Sequence, residues 1–139
     1  MNLNRIADTG FLIGLLNPHD QHHCWAKDHA QANPLGFITC EAVIGEAVYL
    51  VRKSPRAKGA IIAMIESGWL KILPVLPEMR VAVVRVLESY HPHADYADYA
   101  DACIVALYEQ YGGEVFTADK RDFVVYRTRA GQMVTAVFP

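Results

Sequence analysis

The sequence predicts an α/β fold built around a mostly parallel β-sheet. Short apolar runs suited to buried strands alternate with longer segments in which apolar residues recur every three or four positions, as in helices. Two of the apolar runs end at acids, Asp8 directly after its run and Asp119 after Ala118, at the edge where open parallel sheets bind ligands. The chain has 139 residues, 53% of them hydrophobic, which is enough to bury a core as one domain over residues 1–139.

The first half of the chain alternates strands and helices between clear stop signals. Asn17-Pro18 ends an apolar helix, because the residue before a proline is disfavoured in the helical conformation. Ser54 and Pro55 are a favourable N-cap and first-turn pair for another helix. The predicted elements are a strand over 3–7, helices over 9–16 and 19–32, a strand over 37–39, and helices over 40–51 and 55–67.

The second half continues the alternation. Pro74 confines its strand to an edge or an end of the sheet, and Pro92 ends the helix that precedes it. Residues 124–126 are compatible with either a helical turn or extended chain. The predicted elements are a strand over 69–75, helices over 77–90 and 98–111, a strand over 114–117, a polar loop over 120–123 and a terminal strand over 133–138.

Composition excludes several classes of protein. The formal net charge of −2 gives no basic signature of a plain nucleic-acid-binding module. The three cysteines, Cys24, Cys40 and Cys103, show no C-x-x-C spacing and are expected to be buried or half-buried thiols in a reducing compartment. The sequence shows neither a signal peptide nor an apolar run near the roughly 20 residues of a membrane span. We therefore expect a cytoplasmic protein that does not contact a membrane.

Four acids stand out by position. Asp8 and Asp119 end apolar strands, while Glu46 and Asp101 fall on the inward-facing stripes of two predicted helices. Since the carboxyl ends of parallel strands share one edge of a sheet, these acids are expected to converge. Taken alone, Asp8 is better explained as a helix N-cap than as a site residue. Asp98, three residues before Asp101, begins a helix or supports the same site.

Convergence of four carboxylates implies a cation. Carboxylates packed closely repel one another and take up protons unless a positive charge neutralises them. All-oxygen ligand sets favour Mg²⁺ or Mn²⁺ over Zn²⁺. Such an ion lowers the pKa of bound water and neutralises the charge that develops on a phosphodiester, which permits its hydrolysis. A competing metal site at the cluster of His19, His22, His23 and Cys24 lacks a second ligand pair, so we favour a polar helix face there.

Four segments together resemble PIN-domain ribonucleases, in particular the VapC-type toxins of bacterial VapBC toxin–antitoxin systems. The segments are residues 6–12, 39–47, 98–106 and 117–123. The resemblance implies a PIN-like three-layer α/β/α fold with a central parallel sheet of four to five strands, usually as a homodimer. It also implies Mg²⁺- or Mn²⁺-dependent endonucleolytic cleavage of RNA and a cognate antitoxin protein as a partner.

The resemblance also implies roles for individual residues. Asp8, Glu46, Asp101 and Asp119 match the acidic quartet of the family, with Asp8 and Asp101 as direct metal ligands. Glu46 is expected to orient a metal-bound water, and Asp119 to act through water or a second ion. Hydroxyl-bearing residues beside the acids, Thr9 and Thr117, would position carboxylates or water.

Neighbouring acids and bases have less certain assignments. Asp98 and Asp122 remain open between supporting the site and capping a helix or turn, and Glu41 is the weaker alternative to Glu46. Tyr96 and Tyr99 are candidates for stacking on unpaired bases, but packing in the core or at a dimer interface better explains at least one of them. Candidate phosphate contacts, each equally explained as a solvated side chain, are Arg52, Lys53, Arg56, Lys58, Lys120, Arg121, Arg127 and Arg129.

Two other functions remain open. A non-catalytic RNA- or protein-binding member of the same fold would keep the acids for structure alone. A small α/β phosphohydrolase is disfavoured, because Asp8-Thr9 is not accompanied by a clear nucleophile and lysine set.

Overall fold

The protein is described here by a computed structural model that covers residues 3–90 and 98–139. Five strands form one sheet in the order β3-β2-β1-β4-β5, and every pair is parallel, which confirms the predicted sheet. The strands are β1 (Arg5–Ala7), β2 (Phe37–Cys40), β3 (Leu70–Leu73), β4 (Glu114–Phe116) and β5 (Ala136–Val137).

Seven helices among the described residues flank the sheet and complete a three-layer α/β/α fold. They are α1 (Thr9–Leu16), α2 (His23–Ala32), α3 (Glu41–Leu50), α4 (Pro55–Glu66), α5 (Leu76–Ser89), α6 (Tyr99–Tyr111) and α7 (Lys120–Phe123). None of the helices in the described ranges is both long enough and apolar enough to cross a membrane.

The core is organised around α6 and a cluster of aromatic rings. Every residue of α6 from Ala100 to Leu107 is buried, and this helix packs on α5 and on the central strands. Phe11 of α1 lies 4.7 Å from the ring of Phe37 and 5.6 Å from that of Phe116, measured between ring centroids. These contacts hold α1 and α6, which begin at Asp8 and Asp98, against the strands of the sheet.

Side-chain capping accounts for the differences between predicted and observed helices. The helix predicted from residue 19 begins instead at His23, because the Asn17 and Asp20 side chains accept hydrogen bonds from the amides of His19 and His22 and hold a turn there. The predicted loop over residues 120–123 is α7, a single helical turn.

The other differences concern strand length and one thiol. The predicted terminal strand shortens to Ala136–Val137, while Met133 forms an isolated antiparallel bridge with Arg127. The strand before Pro74 lies at an edge of the sheet, as predicted. Cys40 and Cys103 are buried, but Cys24 is exposed, so the expectation that all three thiols are at least half-buried was wrong for Cys24.

Candidate active site

Asp8 combines a capping role with a position in the site. It follows β1 and is the N-cap of α1, where its Oδ1 accepts a hydrogen bond from the Thr9 amide at 2.8 Å. Its Oδ2 accepts a hydrogen bond from the Thr117 hydroxyl at 2.7 Å. The side chain is only 5% exposed. The capping and site interpretations of Asp8 are therefore compatible, since each oxygen serves a different donor.

Asp101 lies in the first turn of α6 and is 6% exposed, so its predicted inward position is confirmed. Its Oδ2 accepts a hydrogen bond from the hydroxyl of Tyr126 at 2.6 Å, and Tyr126 is itself fully buried. Asp98 is the N-cap of α6 and accepts a hydrogen bond from the Asp101 amide at 2.7 Å. Asp98 therefore begins the helix that presents Asp101.

Thr117 connects two of the acids. While its hydroxyl donates to Asp8, the same oxygen accepts a hydrogen bond from the Asp119 amide at 3.0 Å. Asp119 in turn is the N-cap of α7, and its Oδ1 accepts a hydrogen bond from the Asp122 amide at 3.1 Å. The hydroxyl of Thr117 thus fixes the relative positions of Asp8 and the segment that carries Asp119.

Glu46 is exposed, so its predicted place on a buried stripe was wrong. The buried residues of α3 are Val43 and Ala47, and Glu46 lies beside that stripe because the outer part of the helix faces solvent. Its Oε2 accepts a hydrogen bond from the Thr9 hydroxyl at 2.7 Å. This hydrogen bond joins Glu46 on α3 to Thr9 on α1, the residue that follows Asp8.

All four predicted acids line one open cleft with a volume of about 370 Å³. The described residues around it include neither histidine nor cysteine, so the side-chain donors are oxygens. That donor set fits a hard divalent cation such as Mg²⁺ or Mn²⁺ better than Zn²⁺. The lining residues are Asp8, Thr9, Gly10, Glu46, Asp98, Asp101, Ala118 and Asp119.

Three acids at one end of the cleft lie close together. Asp101, Asp119 and Asp122 each place one carboxylate oxygen within 4.8 Å of the other two. At that separation two unit charges repel by roughly 3 kcal/mol at an effective dielectric constant of about 20. Among the described residues this is the group of at least three side chains whose candidate ligand atoms lie that close together. The histidines of residues 19–23 form no such group.

The metal-free site favours protonated carboxyl groups. Burial raises the pKa of Asp8 from 3.8 to about 6, with a smaller contribution from the charge of Glu46. Burial and the charge of Asp8 raise the pKa of Asp101 to about 9, although the Tyr126 hydroxyl partly opposes this rise. Burial and contact with Asp119 raise the pKa of Asp122 to about 7. A bound cation would reverse these shifts by favouring the charged forms.

The predicted substrate contacts have mixed outcomes. Tyr96 lies outside the described residues, whereas Tyr99 is 45% exposed at the start of α6. The guanidinium of Arg127 donates hydrogen bonds to three backbone carbonyls in the segment 124–126, so it stabilises the chain after α7. Lys120 is exposed directly after Asp119.

Tyr126 is the site residue that sequence reasoning missed. Its ring packs against those of Tyr90 and Phe123, each with a centroid separation of 5.1 Å. The contact with Asp101 spans 25 residues of chain, and the segment over 124–126 shows no periodicity that indicates which side is buried. The one available signal was a tyrosine three residues after Phe123, in a short apolar segment.

Comparison with known proteins identifies similar sequences and folds. The sequence model of the PIN domain family matches residues 5–128. The structure resembles VapC20 of Mycobacterium tuberculosis, a sarcin–ricin loop cleaving toxin, at 22% identity and a TM-score of 0.66, covering 81% of this chain and 87% of the other. It also resembles DNA-bound VapBC from Salmonella typhimurium at 15% identity and a TM-score of 0.69, covering 97% and 98%. No curated protein sequence matches the chain.

Replacing Tyr126 with phenylalanine tests the support of Asp101. In metal-free Tyr126→Phe protein the pKa of Asp101 is expected to rise further, and the free energy of unfolding to fall by about 1–2 kcal/mol, because one buried hydrogen bond is lost. Carboxyl NMR titration and urea unfolding measure the two effects. Tyr111→Phe, at an exposed tyrosine at the end of α6, is the matched control and should change neither. An unchanged Asp101 pKa in Tyr126→Phe would contradict this assignment.

Proposed function

The chain belongs to the PIN domain family, and we propose that it is a divalent-metal-dependent endoribonuclease that acts as the toxin of a type II toxin–antitoxin pair. The observation that carries the proposal is the convergence of Asp8, Glu46, Asp101 and Asp119 on one cleft. The similar folds of a VapC20 toxin that cleaves the sarcin–ricin loop and of a VapBC complex support it. The proposed reaction is hydrolysis of an RNA phosphodiester bond.

We assign the direct metal ligands to Asp8 and Asp101, the two buried acids of the predicted quartet. When bound, Mg²⁺ or Mn²⁺ lowers the pKa of water and neutralises the charge developing on the phosphodiester. The chain holds both carboxylates in fixed orientations through the Thr9 amide, the Thr117 hydroxyl and the Tyr126 hydroxyl. Ligands that are held in advance by hydrogen bonds bind metal more tightly than mobile ones.

Glu46, the exposed acid of the four, is assigned a different role in the reaction. Glu46 is hydrogen-bonded through Oε2 to Thr9, which fixes the carboxylate at the solvent side of the cleft. We assign it the role of accepting a hydrogen bond from the attacking water and orienting it. Asp119 also lines the cleft, and we assign it a contribution to the negative potential that attracts the cation.

RNA is negatively charged, so basic residues are needed to hold its phosphates beside this acidic cleft. Without the four quartet acids, the formal net charge of −2 becomes about +2, so the remaining surface attracts phosphate. Lys120 is the exposed base nearest in sequence to Asp119, and Tyr99 exposes a ring beside Asp98. We assign phosphate contact to Lys120 and stacking on an unpaired base to Tyr99.

A cleavage assay separates the enzyme from a non-catalytic binding module. Wild-type protein is expected to cleave RNA with Mg²⁺ or Mn²⁺, to stop when the ion is chelated, and to lose at least about a hundredfold in rate as Asp101→Asn. Asp28→Asn, at an exposed acid on α2, is the matched control and should cleave normally. Equal cleavage by wild type and Asp101→Asn, or cleavage that resists the chelator, contradicts the proposal. RNA binding without turnover would instead identify the binding module.

The toxin assignment has its own test. Expression of the wild-type chain is expected to arrest growth of a bacterial host, and co-expression of a short DNA-binding protein encoded beside its gene to restore growth. Growth is followed after induction, with Asp101→Asn as the inactive control. Growth arrest that is as strong with Asp101→Asn as with the wild type would show that toxicity does not come from this site.

We also propose a homodimer in the cytoplasm. Several large apolar side chains on α3 and α4 are exposed in the single chain and would be covered by a second copy, and the three free thiols suit a reducing compartment. Light scattering should give the mass of two chains, and fractionation should recover the protein with cytoplasmic markers. The exposed apolar residues are Val48, Tyr49, Leu50, Ile62 and Ile65.

A further inference from the structure

The stretch of chain that carries Tyr126 is hydrogen-bonded to both ends of α6. At the start of the helix, the Tyr126 hydroxyl donates to Asp101. In the last turn, Oε1 of Glu109 accepts a hydrogen bond from the Arg129 amide at 2.8 Å. At a rise of about 1.5 Å per residue, Asp101 and Glu109 are about 12 Å apart along the helix axis. The segment 124–129 is therefore held in register against α6.

Arg85 of α5 reinforces the end of this segment that lies beside Glu109. Its Nη2 atom donates to Oε1 of Glu109, with which Arg85 forms an ion pair, and to the backbone carbonyl of Arg127 at 3.4 Å. Both side chains are partly buried, and neither residue is among the described residues that line the acidic cleft. One guanidinium group thus joins α5, α6 and the segment 124–129.

The position of Arg85 is costly for an ordinary ion pair. Its Nε atom is buried and has no hydrogen-bond partner among the residues that the structure describes. A donor buried without an acceptor loses its hydration, whereas an ion pair at the surface would keep the guanidinium hydrated. The inward position of Arg85 is better explained by its two contacts, to Glu109 and to the backbone of Arg127.

The backbone held by this ion pair directly follows Tyr126. The amide of Arg127 also donates a hydrogen bond to the Tyr90 hydroxyl at 2.8 Å, and the Tyr90 ring packs on that of Tyr126. A displacement of the segment by about 1 Å would lengthen the 2.6 Å hydrogen bond between Tyr126 and Asp101 beyond the usual range. The contact with Asp101 therefore depends on how firmly the following residues are held.

We propose that Arg85 and Glu109 are positioning residues that hold the Tyr126 hydroxyl against Asp101 and thereby fix the orientation of that carboxylate for metal binding. The inference rests on the proposed function, in which Asp101 is a metal ligand. Both residues act through the segment 124–129, at a distance from the ion. Removing a hydrogen-bond partner of a metal ligand typically costs about 10–100-fold in metal affinity, so a residue one contact further away should cost less.

Mn²⁺ affinity and the NMR signal of the Tyr126 hydroxyl test the inference in the full chain without reference to activity. Arg85→Met is expected to raise the Mn²⁺ dissociation constant about threefold to tenfold, as measured by electron paramagnetic resonance of free Mn²⁺. In chelated protein it should also shift the hydroxyl proton resonance of Tyr126. In a Tyr126→Phe background, Arg85→Met should weaken Mn²⁺ binding no further. Arg80→Met, at an exposed arginine on α5, is the matched control and should resemble the wild type.

A double variant keeps the test valid if Arg85→Met destabilises the fold by leaving Glu109 without its partner. Arg85→Met/Glu109→Met removes both charges together, so neither remains partly buried and unpaired. It should weaken Mn²⁺ binding at least as much as Arg85→Met alone. Circular dichroism of each variant shows that the measurements refer to folded protein.

The outcomes distinguish this inference from the proposed function. Wild-type Mn²⁺ affinity and an unshifted Tyr126 resonance in both variants would overturn the inference and leave the ion pair as a contact between helices. Equal weakening with and without the Tyr126 hydroxyl would also overturn it, because the effect would not pass through that group. A wild-type chain that binds no Mn²⁺ would overturn the metal dependence of the proposed reaction. In that case a shifted Tyr126 resonance in Arg85→Met still supports the positioning role, and an unshifted one overturns it.

Discussion

The parallel pairing of β1 with β4 determines the arrangement of the whole cleft. Ala7 pairs with Phe116 at the ends of these strands, so Asp8 and Thr117 leave the sheet side by side. The Asp8 amide then donates to the Phe116 carbonyl at 3.0 Å, and the Thr117 hydroxyl joins Asp8 to the Asp119 amide. Because α1 begins at Asp8 and α7 follows Asp119, this one strand pairing also positions two helix starts.

Packing the acids so closely has an electrostatic consequence. Hydrogen bonds from the Thr9 amide and from the hydroxyls of Thr117 and Tyr126 favour the charged carboxylates, but burial and mutual repulsion outweigh them. Without a bound cation, the folded state is therefore most stable when its buried acids are protonated. A divalent cation would replace those protons and convert repulsion into attraction, which connects the stability of the fold with the proposed chemistry.

Sequence patterns predicted the sheet and the positions of Asp8 and Asp119 well, because strand patterning is local and the carboxyl ends of parallel strands always share one edge of the sheet. They failed for Glu46, since helical periodicity identifies a stripe but does not show how far the sheet covers it. A four-residue helix such as α7 is too short for periodicity to indicate. Tyr126 was missed because its hydrogen bond to Asp101 exists only once α6 and the chain after α7 pack together.

The pH dependence of stability in chelated protein tests most directly whether the buried acids hold a divalent cation. Asp8 and Asp101 have folded-state pKa values of about 6 and about 9, above the ordinary value of 3.8. Their protonated forms therefore favour the folded state at low pH, and stability is lost as pH rises through these values. Thermal unfolding of chelated protein should show a midpoint that falls between about pH 4 and pH 9, and Mn²⁺ should restore it mainly at the high end. A midpoint that is independent of pH and unaffected by Mn²⁺ at pH 8 would contradict the account.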